Sequence, residues 1–255
     1  MGSRSKSVLH SNVLRPLHIT LDFDSTITKY DTLNELVDSV MHLHPEKTRS
    51  SVQAKWGHCT KGYFDDYIAF SQAYPVKKAN RSSLQMELEF LKALKNVEER
   101  SFKRVDESPV FHWPIRESSR AEDLRRAGRK AVETENVLIR NGFRSFIHEL
   151  GTRTGGWENG LPSWDVVSVN FSDQWIEGCL EGALQATLDV QRVPIMSNNI
   201  DENGNVRFSC SSHTINVSVV FFLRLYCSSY TFAHAAITIN KFKAANWSST
   251  AIVPR

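Results

Sequence analysis

Leu17-His18-Ile19-Thr20-Leu21-Asp22-Phe23-Asp24-Ser25-Thr26-Ile27-Thr28 is the stretch on which the reading of this chain turns. Leu17, Ile19 and Leu21 alternate with His18 and Thr20, and β-branched residues are frequent, so residues 16–22 are predicted to form a strand. The strand runs into two carboxylates, Asp22 and Asp24. Alternate side chains of an extended segment point the same way, so both carboxylates can reach one small volume beyond the strand end. One can be ionised and act as a nucleophile. The other, partly desolvated and close to the first charge, favours its protonated form, which makes it a candidate acid and base. The plainer alternative is a strand followed by an Asp-rich turn, since Asp and Ser hydrogen-bond their own backbone.

Outward from that stretch, 255 residues with a 41% apolar fraction suffice for one large domain, or for a core plus a cap. Cys59, Cys179, Cys210 and Cys227 lie far apart and suggest neither a zinc site nor a disulfide framework. A reduced, cytoplasmic compartment is the expectation. The net charge of +3 comes from the ends: residues 1–21 and 203–255 carry basic residues and no acid. Nucleic-acid binding is therefore not expected. No apolar run reaches membrane-spanning length; the nearest, Val217–Cys227, is short and contains Arg224.

Along the chain, residues 1–15 read as a flexible basic leader. Asp31 can cap a helix running to about His42, with Leu33, Leu36, Val37 and Val40 on one face and Pro45 ending the segment. Residues 51–73 and 82–104 are predicted helices, the second with Leu84, Leu88, Leu91 and Lys95 on one face. Residues 118–150 suggest two more, broken near Asn141-Gly142. The core is expected to resume with Ser145–Leu150, followed by a plain Gly-rich loop from Gly151 to Gly160. Trp164–Ser168 reads as a short buried strand, followed by a helix capped by Ser172. Residues 194–206 suggest a short strand and an Asp/Gly turn.

A strand ending in Asp-x-Asp-x-Thr resembles the first motif of the haloacid dehalogenase-like superfamily of phosphohydrolases. Ser168, ending an apolar strand just before a helix, resembles its second motif. The long helical segment between them resembles the cap of the phosphoserine phosphatase-like branch. The resemblance implies an α/β fold: a Rossmann-like parallel-sheet core at residues 16–30 and 138–206, with a mainly helical cap at 31–137. It also implies phosphomonoester hydrolysis of a small phosphorylated metabolite through an aspartyl-phosphate. Asp22 would be the nucleophile and Asp24 the acid/base. Thr26 would steady the loop. The backbone N–H groups of Phe23, Asp24 and Val169, with the Ser168 hydroxyl, would face the phosphate. Magnesium would bind the Asp22 carboxylate and the Asp24 carbonyl.

The resemblance covers residues 16–206 and then stops. The family next needs a Lys and an acidic strand end, yet no Asp or Glu follows Glu202. Residues 207–255, with 12 Ser/Thr, read as an atypical tail: divergent, fused, or read past a splice junction, the composition change favouring the last. The core is expected to be incomplete at this end. The second function class is accordingly a non-catalytic protein that binds a phosphorylated ligand or a protein partner.

Overall fold

A computed structural model of the chain describes residues 19–115, 118–153, 164–185 and 193–207. The predicted leader, most of the Gly-rich loop and the tail lie outside these residues. The described part is mainly helical around a small parallel sheet. Strand β1 (Ile19–Asp22) is followed by a tight irregular loop, Phe23–Ile27, and then by helices α1 (Leu33–Met41), α2 (Glu46–Ala73), α3 (Leu84–Asp106), α4 (Arg120–Glu133) and α5 (Phe143–Arg153). Strand β2 (Trp164–Val167), helix α6 (Asp173–Leu184) and strands β3 (Ile195–Met196), β4 (Asn199–Ile200) and β5 (Val206–Arg207) complete it. Among the described residues no helix is long and apolar enough to cross a membrane.

Strands β1, β2 and β3 lie side by side and parallel. Ile19 pairs with Trp164 and Asp22 with Val167, so Ser168 follows directly on the residue opposite Asp22. The predicted neighbours are therefore adjacent strands in register. Parallel strands buried on both faces favour continuous apolar runs. Trp164, Val166 and Val167 fit that pattern, being buried. The sheet is backed by α6, whose Ser172 hydroxyl accepts a hydrogen bond from the Trp175 N–H at 3.0 Å and so caps the first turn. Phe23, Trp175, Ile176 and Leu180 are fully buried, and the Phe23 ring meets Trp175 edge-on. Each such side chain contributes roughly 1.5–3 kcal/mol of burial free energy.

Helix α4 lies directly on α6. Gly128 and Gly178 leave no room for a methyl group: a Cβ on Gly178 would sit 1.9 Å from the Arg125 carbonyl oxygen. Arg125 and Arg129 flank this seam and pair with Glu177 and Glu181. Helices α2 and α3 form a long hairpin with its own smaller core of Phe90, Leu91, Leu94 and Val97, against which Tyr63, Tyr67, Phe70 and Tyr74 pack. Here the sequence reading needs correction. Of the predicted face Leu91 is buried but Leu84 is 59% exposed, and the buried face of α3 runs through Phe90, Leu91, Leu94 and Val97. The face is set by the aromatic partners on α2: Phe90 lies 5.4 Å from Phe70 and 5.1 Å from Tyr74, and Arg81 stacks on it. Pro45 stands at the start of α2 rather than at the end of α1, since a missing N–H costs nothing at a helix start.

Candidate functional site

Beyond Asp22 the chain folds back on itself. Ser25 takes a left-handed conformation, φ +62°, which a non-glycine residue adopts only when its surroundings hold it there. Those surroundings are identifiable. The Thr28 N–H bonds the Phe23 carbonyl at 3.1 Å, and the Thr28 hydroxyl donates to the Tyr30 carbonyl at 2.6 Å while accepting from the Ser25 N–H. Arg140 donates to the Ser25 carbonyl at 2.7 Å and to the Thr26 carbonyl at 3.1 Å. Thr28 also bridges to Ile139. The loop is thus held chiefly by Thr28 and Arg140. Thr26 turns its hydroxyl to the Asp22 carboxylate, 3.4 Å away.

Asp24 is the most constrained group. Its Oδ1 accepts from the Thr32 N–H at 2.8 Å and from the Thr32 hydroxyl at 2.6 Å, and its Oδ2 accepts from the Asn170 amide at 3.3 Å. Burial raises its pKa above the usual carboxylate range, the Asp31 charge adds to this, and the Thr32 and Asn170 bonds only partly offset it. The folded state keeps its proton to higher pH than the unfolded state, so ionising Asp24 costs stability above its folded pKa, and that cost vanishes as pH falls toward the unfolded value. Asp24→Asn, which cannot ionise, is therefore expected to gain stability relative to wild type as pH rises from 4 to 8. The gain should shrink toward pH 4. Urea unfolding at both pH values measures it, and a gain that grows on acidification contradicts the assignment.

Ser168 is buried at the end of β2, with its N–H on the Met196 carbonyl. Its hydroxyl accepts the Asn170 N–H at 3.1 Å. Asn198, just past β3, donates to the carbonyls of Val169 at 3.0 Å and Asn170 at 3.2 Å, fixing the 168–170 turn. The structure therefore brings Asp22, Asp24, Thr26 and Ser168 to one end of the sheet. It adds Thr32, Arg140, Asn170 and Asn198, which the sequence reading did not single out. Asn170 stands two residues after Ser168, and that spacing was its one available signal. Arg140 and Asn198 carry none, because their roles rest on carbonyls distant in sequence. Among the described residues no three or more His, Cys, Asp or Glu side chains gather in a way that could hold a metal ion.

No family model matches the chain. It is similar to a "CTO1 family protein" of Schizosaccharomyces pombe, 28% identical over 200 residues, covering 77% of this chain and 58% of that protein. It is also similar to "Cold tolerance protein 1" of Saccharomyces cerevisiae, 25% identical over 172 residues, covering 62% of this chain and 49% of that protein. The chain spans about half the length of the curated relatives it matches. These findings correct the resemblance drawn from the Asp-x-Asp-x-Thr motif. The relatives carry the name of a cold tolerance family, not of haloacid dehalogenase-like hydrolases. The reading of the chain as a phosphatase of that superfamily, working through an aspartyl-phosphate, is withdrawn with it. The motif overreached because two carboxylates behind a strand satisfy a short pattern whatever the family.

Proposed function

We propose that the chain binds a small phosphorylated ligand beyond the carboxyl ends of β1 and β2, without turning it over, and that it serves cold tolerance as its relatives' name indicates. One observation carries the reading. Asp22, Asp24 and Ser168 share the carboxyl ends of neighbouring parallel strands, where open α/β sheets take their ligands. Ser168 and the backbone N–H groups of Phe23, Asp24 and Val169 are the donors in this reading. Magnesium, which usually keeps one or two carboxylates plus phosphate oxygens and waters, would rest on the Asp22 carboxylate and the Asp24 carbonyl. That sparse donor set suits an ion that arrives together with its ligand.

The test is calorimetry of the full chain with inorganic phosphate, with and without magnesium. Magnesium is expected to tighten binding, and Asp22→Asn to weaken the magnesium-supported binding by about tenfold, which is 1.4 kcal/mol. No heat of binding under either condition overturns the reading. Steady release of phosphate from phenyl phosphate, lost in Asp22→Asn, overturns its non-catalytic part.

A further inference from the structure

The hydrogen bonds around Asp24 leave one buried atom without a partner. Asn170 is only 2% exposed. Its amide nitrogen donates to Asp24 Oδ2 and to Thr32 Oγ1, both at 3.3 Å. The Thr32 hydroxyl donates to Asp24 Oδ1 and accepts from the Asn170 amide. The amide oxygen, on the same planar group beside the Asp24 carboxyl, is buried and has no donor among the described residues. A second buried acceptor without a donor, Glu35 Oε2, lies on the first turn of α1, and its carboxyl senses the charges of Asp24, Asp31 and Asp38. Buried acceptors in folded proteins are nearly always paired. The Asn170 amide oxygen is thus a buried acceptor left open beside the Asp24 carboxyl.

The charges point the same way. The groups acting on Asp24 are Asp31 by charge and Thr32 and Asn170 by hydrogen bonds, and the buried Cys179 thiol senses the Asp24 charge. Those acting on Glu35 are Asp31, Asp38 and Asp24. The charges named as acting on these two carboxyls are all negative. An oxygen without a proton would set lone pairs against lone pairs at the Asn170 amide oxygen.

Resting on the phosphate-binding reading above, we infer that this end of the sheet selects a phosphate that still carries a proton, reading its P–OH hydrogen with the amide oxygen of Asn170, and rejects a proton-free oxyanion of the same shape. A site built to pair with a donor discriminates strongly against an analogue that lacks it, because its own buried acceptor is then left unpaired. Sulfate is that analogue for inorganic phosphate near neutral pH. A phosphomonoester becomes one above its second pKa, near 6.

The experiment is calorimetry of the full chain in magnesium buffer with inorganic phosphate and with sulfate, and with phenyl phosphate at pH 5 and pH 8. Wild type is expected to prefer phosphate over sulfate by at least tenfold, and to bind phenyl phosphate at least tenfold more tightly at pH 5. Asn170→Leu, which removes the acceptor, is expected to bring the phosphate-to-sulfate ratio close to one. Asn170→Asp, which keeps an acceptor at the same place, is expected to retain the preference and decides the matter should the Leu variant fail to fold. Equal affinity of wild type for the two anions, or a preference unchanged in Asn170→Leu, overturns the selectivity and leaves phosphate binding standing. Absence of binding by either anion overturns the binding reading and this inference with it.

Discussion

Gly178→Ala should lower the stability of the chain by about 3 kcal/mol or more, the upper end of ordinary overpacking. Its added methyl would lie 1.9 Å from the carbonyl oxygen of Arg125 and 2.7 Å from its carbonyl carbon. Both obstacles are backbone, so no side chain can swing aside. The helices must part, and the seam between α4 and α6 carries Leu124, Trp175, Cys179 and Leu180, all buried. For a chain of this size a loss of that order lowers the melting temperature by about 10 °C. Gly128→Ala should behave alike, because its methyl would meet the Trp175 carbonyl oxygen at 2.2 Å. Gly57→Ala is the control. Nothing lies within 4 Å of its Cβ position, and on a helix the change should add up to about 1 kcal/mol. Thermal unfolding followed by circular dichroism separates these cases. A Gly178→Ala protein melting within about 2 °C of wild type would show that the helices stand further apart than described.

Arg120→Leu should cost about 3 kcal/mol or more, since each buried carbonyl left without its donor costs about 1–3 kcal/mol. The Arg120 side chain is 5% exposed. Its guanidinium donates to the carbonyls of Phe111 at 2.7 Å, Trp113 at 3.2 Å and Glu202 at 3.3 Å, and it stacks 4.2 Å over the Trp113 ring. Three segments meet there: the 108–113 turn, the start of α4 and the β4–β5 hairpin. Asp123 completes the knot by accepting from the Trp113 indole at 3.1 Å and from the Ser118 hydroxyl at 2.6 Å. The fit is close, since Gly204, at φ +87°, approaches the Phe111 carbonyl so nearly that a Cβ would lie 2.4 Å from it. Leucine fills the volume but leaves the carbonyls without donors. Lysine should recover less than half of the loss, because an ammonium cannot present the planar fork. Urea midpoints of the three proteins decide this, and a Lys variant equal to wild type rules out the fork as the reason.

Local patterns carried much of the fold in the sequence. Alternation at Leu17–Leu21 announced the first strand, Ser172 its helix cap, and the strand-end positions of Asp22 and Ser168 their meeting. These features are decided within a few residues by backbone geometry. The buried face of α3 was only partly legible, since Leu84 and Phe90 are equally apolar on paper and only the aromatic side chains of α2 choose between them. The same holds at the site. Asp24 advertises itself by its spacing. Asn170 matters because it spans from the end of one strand to a carboxyl on another, and no local pattern records such a span. The family was misjudged for the converse reason: a motif of few residues was allowed to speak for the whole chain.

The bridge between Thr28 and Ile139 bears on the order in which the chain assembles. The pairing of β1 with β2 joins residues 145 positions apart, and closing so long a span is slow and entropically expensive. Once Thr28 has met Ile139 and Arg140 has grasped the Ser25 carbonyl, the chain still to be closed shrinks to about 30 residues. That shortening removes about 1.3 kcal/mol of the remaining entropic barrier. The α2–α3 hairpin, whose contacts are near in sequence and whose small core is its own, can form without waiting for either event. A clasp already shut at residues 28 and 139 would thus leave the two halves of the sheet a much shorter stretch of chain to close.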